Sequence, residues 1–315
     1  MRKAVVVGVN DYPGAPLRGC VNDANSIASA LETHADGSPN FSVKLVTSPG
    51  EAVTRAELRR LIEKLFAGDC EVCLFYFSGH GYIKSTGGYL VTTDAKKYDE
   101  GVSMDEILVI ANQSHAKEKV IVLDCCHSGA MATPAISGAN LAQLSEGLSV
   151  LTASRDSESA LEINGRGVFT SLVVDALKGG AADLRGYITP GSVYAYVDQA
   201  LGPWDQRPIF KTNVTRFTSL RSISPPVSME TLRKICVYFP TPEDEFKLDP
   251  SYEFTDAQQK PEHVAIFKDL QRFERVGLVV PVGEEHMYYA AINSKSCRLT
   301  ALGFQYWRLA KEKRH

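Results

Sequence analysis

Through about residue 220, short apolar runs alternate with stretches whose apolar positions recur every three or four residues. Lys3–Gly8, Phe41–Val46, Glu71–Phe77, Lys119–Leu123 and Leu148–Leu151 read as strands. Val72 to Phe77 is apolar throughout, the pattern of a strand buried on both faces. Val21, Ala24, Ile27, Ala28 and Leu31 mark a helix between the first two strands. Thr54 and Glu57 form a capping box that opens a second helix running to Phe66. Further helices are predicted over Ser103–Ala111, Phe169–Leu177 and Ser192–Leu201. Strand and helix in alternation predict an α/β fold, a mainly parallel sheet covered on both faces.

The pattern breaks at 222–228, where Ser224-Pro225-Pro226 is linker chemistry. The chain therefore divides into residues 1–221, a linker, and a smaller α+β domain over 229–315. In the latter, Val264, Ile266, Phe267, Leu270, Phe273 and Val276 predict a helix, with Gly277 as its C-cap. Leu278–Val280, a turn at Gly283-Glu284-Glu285 and Met287–Ile292 read as a hairpin. Thr300 caps a last helix through Ala310. Helix, hairpin, helix is a winged-helix-like pattern.

Composition narrows the class. Of 315 residues, 44% are hydrophobic and 23% charged, which fits a globular protein and excludes disordered and fibrous classes. The net charge of −3 argues against nucleic acid as the main partner. The first apolar run, Ala4 to Val7 plus Val9, is too short for a membrane span or a signal peptide, which predicts a cytoplasmic protein. Seven cysteines, at 20, 70, 73, 125, 126, 236 and 297, are an odd number without disulfide-framework spacing. Reduced thiols, catalysis and metal are then the alternatives. Strand alternation puts Cys70 and Cys73 on opposite faces, and no second Cys or His pair completes a zinc site.

Two strands end in chemistry. Strand 71–77 runs into Ser78-Gly79-His80-Gly81, and strand 119–123 into Asp124-Cys125-Cys126-His127-Ser128-Gly129. A parallel sheet gathers its strand carboxyl ends on one edge, where sites form. A histidine and a thiol emerging there are what nucleophilic catalysis needs, and the flanking glycines admit a close ligand. His127 neighbours Cys126, but adjacent residues of an extended chain point apart, so His127 reads as structural.

These segments resemble the caspase-like cysteine peptidases, most of all the metacaspases and their prokaryotic relatives. The likeness rests on Phe75 to Gly81 and Leu123 to Gly129. It is supported by Val7-Gly8-Val9-Asn10, Leu17 to Ala24, Thr152-Ala153-Ser154, Gly167-Val168-Phe169-Thr170 and Gln206-Arg207-Pro208. It extends over about residues 1–220.

The resemblance implies that Cys126, directly before His127-Ser128-Gly129, is the nucleophile and His80 its acid–base partner. It implies an oxyanion hole made by the backbone N–H groups of Gly81 and Cys126. It places the primary substrate pocket at Cys20, Asp23, Ser78 and Asp124. Two carboxylates there favour Arg or Lys before the cleaved bond; the plainer reading has Asp23 capping a helix and Asp124 holding a turn. The chemistry requires no cofactor. Calcium activation is a trait of part of this family, and Asp94, Asp99, Glu100 and Asp105 are the candidate ligands. Ala130–Gly147 holds no Lys or Arg, so a basic specificity cannot cut there; Arg155, Arg166, Arg185 and Arg221 are the candidate self-cleavage sites.

The C-terminal domain carries 13 basic and 13 acidic residues over 225–315. That balance reads as a module for a protein partner rather than for DNA, and it points to regulation of the peptidase through this domain. Fusions of this kind resemble bacterial defence and cell-death proteins. The rival readings are an inactive caspase-like scaffold, opposed by the intact His80 and Cys126, and a nucleic-acid-binding regulator led by the winged helix.

Overall fold

In the computed structural model, residues 1–85, 87–125, 143–153, 162–163, 165–201 and 207–314 are described. They form two compact units. One comprises Met1–Ala182 with Tyr187–Ile223, the other Asp183–Gly186 with Ser224–His315.

The first unit is built on a six-stranded sheet. Its strands are β1 (Arg2–Val9), β2 (Ser42–Ser48), β3 (Val72–Ser78), β7 (Glu118–Asp124), β8 (Leu148–Thr152) and β12 (Ile209–Asn213). The spatial order is β12-β8-β7-β3-β1-β2, parallel except for β12, which pairs antiparallel with β8. Helices α1 (Cys20–Glu32), α4 (Val168–Asp175) and α5 (Pro190–Ala200) cover one face; α2 (Arg55–Phe66) and α3 (Met104–Asn112) cover the other.

Strand alternation sorts the core. Val5, Val7, Phe75, Phe77, Ile121 and Leu123 pack towards α2 and α3. Ala4, Val6, Leu74, Tyr76, Val120 and Val122 pack towards α1, α4 and α5. Both faces being covered is why β3 reads as one unbroken apolar run.

Local signals account for most boundaries. The Thr54 hydroxyl accepts the Glu57 N–H at 3.3 Å and starts α2. Helix α5 begins two residues earlier than predicted. Thr189 caps it reciprocally with Ser192, and Pro190 takes a first-turn position, where its missing N–H leaves nothing unpaired.

Two features depart from the sequence reading. Gly81 to Ser103, where the sequence shows no clean period, forms an antiparallel sheet of β4 (Gly81–Lys84), β5 (Gly87–Lys96) and β6 (Asp99–Ser103). Cys70 and Cys73, expected on opposite faces and unpaired, are joined in a disulfide with their Cα atoms 6.7 Å apart. Cys70 precedes the strand, so the turn at Gly68 (φ +72°) sets its direction and strand alternation does not apply.

In the second unit the expected hairpin is corrected. Met287–Ile292 is a helix (α9), not a strand. Met287, Ala290 and Ala291 are its buried positions, which is a helical spacing. The strands are β14 (Glu245–Lys247), β15 (Val279–Val282) and β16 (Ser296–Leu299), antiparallel in the order β14-β16-β15. They pack with α6 (Met229–Arg233), α7 (Ile235–Tyr238), α8 (Pro261–Arg275) and α10 (Ala301–Lys311) around Leu232, Phe239, Leu270 and Phe273. Gly277, at φ +73°, follows α8, and the Thr300 hydroxyl accepts the Gly303 N–H at 3.0 Å to open α10. Among the described residues, no helix is long and apolar enough to cross a membrane.

Candidate active site

The carboxyl ends of β1, β3 and β7 lie in register, with Gly8 opposite Ser78 and Ser78 opposite Asp124. Gly8 lets α1 approach this edge closely: a Cβ there would lie 2.3 Å from the Cys20 carbonyl oxygen. Cys20 and Asp23, in the first turn of α1, are therefore buried against the strand ends.

Asp23 does not cap its helix. Its Oδ1 and Oδ2 accept the Gly167 N–H at 3.2 and 3.0 Å, and the Ser78 hydroxyl lies 3.5 Å from Oδ2. Asp124 accepts the Thr170 hydroxyl at 2.6 Å, and the Thr170 oxygen lies 2.5 Å from the Tyr76 hydroxyl. The two carboxylates converge on Gly167. A Cβ on that residue would lie 2.4 Å from Asp124 Oδ2 and 3.0 Å from Asp23 Oδ2. Both acids are buried, at 2% and 5% exposure. Burial, then Asp124, then Asp23, push the Tyr76 phenol pKa well above its ordinary value, so it remains protonated beside them.

His80 leaves β3 two residues beyond Ser78, half exposed. Its Nε2 lies 2.8 Å from the Ala15 carbonyl oxygen. A carbonyl only accepts, so Nε2 carries the proton and Nδ1 is the basic nitrogen. The Tyr12 ring lies 4.6 Å from the imidazole, and the Tyr12 hydroxyl accepts the His80 backbone N–H at 3.0 Å. Gly81 is the first residue of β4.

The structure thus brings Cys20, Asp23, Ser78, His80, Gly81 and Asp124 to one edge of the sheet. Cys125 is fully buried in the cluster beneath α2 and α3, as a packing residue would be. Cys126, His127, Ser128, Gly129, Ser154, Arg155 and Gln206 lie outside the described residues.

The calcium candidates have these surroundings. Asp94 accepts the Arg55 N–H and the Thr92 hydroxyl, Asp99 pairs with Arg55 at 2.6 Å, and Glu100 pairs with Lys84. Asp105 is buried at the start of α3. Among the described residues no three His, Cys, Asp or Glu side chains are grouped to hold a metal.

Sequence reasoning gave no role to Gly167 or Thr170, though both stand in a quoted motif, and it passed over Tyr12 and Ala15. Tyr12, an aromatic in the turn Tyr12-Pro13-Gly14-Ala15-Pro16, was the available signal.

The chain is similar to known proteins. The sequence profile of the caspase domain matches residues 1–218. Metacaspase-9 of Arabidopsis thaliana is 28% identical over 145 residues, 41% of this chain and 44% of that protein. The chain therefore matches less than half the length of this curated relative. A crystallised protein from Geobacter sulfurreducens superposes with a TM-score of 0.52 at 18% identity, over 71% of this chain and all of its own. That likeness concerns the fold.

Proposed function

The chain belongs to the caspase-domain family of cysteine peptidases, and on that premise we propose that it is an endopeptidase cutting after Arg or Lys through a Cys126–His80 dyad. The observation that carries the reading is the Ser78–Asp124 register. His80 and Cys126 each follow by two residues from that matched pair on adjacent parallel strands.

The Cys126 thiol gives its proton to His80, and the resulting thiolate attacks the substrate carbonyl carbon, since the thiol itself is a poor nucleophile. The backbone N–H groups of Gly81 and Cys126 receive the oxyanion, about 3–4 kcal/mol for one such donor. The tetrahedral species collapses as the departing amine takes a proton from His80. Water then attacks the thioester, giving its proton to His80 and releasing the thiolate. Asp23 and Asp124, with Ser78 and Cys20, receive the basic side chain that precedes the cleaved bond. A guanidinium can take two hydrogen bonds from a carboxylate, and an acidic side chain would meet like charge.

The second unit serves in this reading as a module for a protein partner that regulates the peptidase. Its equal numbers of basic and acidic residues, and the exposed Val237, Phe254, Tyr288 and Tyr289, support a protein surface over a nucleic-acid one.

Digestion of a peptide library tests the specificity. Cleavage should follow Arg and Lys, and Asp124→Asn should lower kcat/KM for Arg substrates by about 30-fold or more. Cleavage after Asp, or unchanged Arg preference in the Asp23→Asn, Asp124→Asn double variant, would sink it.

A further inference from the structure

We propose that the Tyr12 hydroxyl is a wedge in the β4–β5 ladder that fixes the position of His80. The inference rests on His80 being the acid–base residue, but the geometry behind it is independent of that role.

Strands β4 and β5 pair with Gly81 opposite Leu90 and Tyr82 opposite Tyr89. One step further, His80 faces Val91. Facing residues of this kind normally exchange two direct hydrogen bonds. Here only one is direct: the Val91 N–H donates to the His80 carbonyl at 3.0 Å. The other is relayed. The His80 N–H donates to the Tyr12 hydroxyl at 3.0 Å, and that hydroxyl donates to the Val91 carbonyl at 3.1 Å. A side-chain oxygen thus stands where the second ladder bond belongs, and it holds the ladder open at His80.

The neighbouring residue makes the space. A Cβ on Gly79 would lie 2.4 Å from the Tyr12 hydroxyl and 2.8 Å from the Phe77 ring. Tyr12 is itself only 5% exposed, within the cluster that holds Phe77 and Leu123. Burial drives its phenol pKa well above the ordinary value, so the proton that bonds Val91 is retained. The ring rests against the imidazole, and Ala15, three residues on, accepts from Nε2. The turn after β1 therefore grips His80 at its backbone, its ring face and one ring nitrogen.

Without the hydroxyl, the His80 N–H and the Val91 carbonyl either stay unpaired or bond each other directly. Direct bonding closes the ladder and draws the imidazole away from Ala15. Tyr12 acts through its contacts with His80, so it is a positioning residue. A displacement of about 1 Å at a reacting group can cost 100-fold in rate.

The test uses full-length Tyr12→Phe and Gly79→Ala, assayed with an Arg-reporter peptide alongside His80→Ala. Both variants should keep the folded circular-dichroism spectrum. Their kcat should fall about 10- to 100-fold with KM within about twofold, because the acid pair is untouched. The His80 imidazole resonance should be displaced in both. A folded Tyr12→Phe with wild-type kcat and an unmoved resonance overturns the wedge. Loss of the folded spectrum in that variant also overturns it, since Tyr12 would then hold the fold rather than aim His80. Wild-type behaviour of Gly79→Ala counts against it equally. Turnover retained in His80→Ala would instead defeat the dyad, while the resonance still reports on the wedge.

Discussion

The backbone N–H of Gly167 points at both carboxylate oxygens of Asp23, 3.2 Å from Oδ1 and 3.0 Å from Oδ2. Residues 144 positions apart are thereby joined at the floor of the proposed specificity pocket. The amide partly offsets the cost of burying the carboxylate, which is high without such partners. Because the same glycine also crowds Asp124, it sets the spacing of the two acids.

Gly167→Ala should therefore damage selectivity more than the fold. A Cβ 2.4 Å from Asp124 Oδ2 forces one or both acids to move. The ratio of kcat/KM for Arg over a neutral residue such as Gln should fall at least tenfold. Paired fluorogenic substrates measure it directly.

Thr170→Val removes the hydroxyl that bonds Asp124 and Tyr76. Losing a donor to a buried charged group costs about 1–3 kcal/mol. Thermal unfolding should start lower, and KM for Arg substrates should rise. Thr170→Ser, which keeps the hydroxyl, should recover most of both.

The two neighbouring cysteines should separate cleanly. Cys125 is fully buried among apolar side chains, so Cys125→Ala should retain most turnover at a stability cost of about 1 kcal/mol. Cys126→Ala should abolish peptide hydrolysis. An alkylating affinity label located by mass spectrometry should sit on Cys126; label on Cys125 with activity surviving in Cys126→Ala would reverse the assignment.

Asp105 gives a pH-dependent prediction. It is buried, its Oδ2 has no hydrogen-bond partner among the described residues, and desolvation holds its pKa above the ordinary carboxyl value. A raised pKa means that the folded state favours the protonated form. Its stabilising contribution is present below the unfolded-state pKa and is lost as pH rises through the folded one. Asp105→Asn should thus raise Tm at pH 7, by about 2–4 °C per kcal/mol regained. The difference should close as the pH falls towards 4. A constant offset across that range would contradict the account.

The strand and helix alternation, the residues at the strand ends and the family they resemble are legible in the amino-acid order alone. Those are short-range signals: apolar period, capping residues such as Thr54 and Thr300, and glycines beside His80. It also supplied Asp23 and Asp124 as pocket candidates, through the resemblance. How they are held depends on the folded chain. Gly167 and Thr170 gain their roles because the β10 segment (Arg166–Gly167) and α4 pack across the end of the sheet, a long-range contact without periodicity. Tyr12 is legible only once β5 is seen to bring Val91 opposite His80. The Met287–Ile292 helix is not legible in the sequence because an apolar run of six residues fits either period, and the buried side of Met287, Ala290 and Ala291 is chosen by the core it meets.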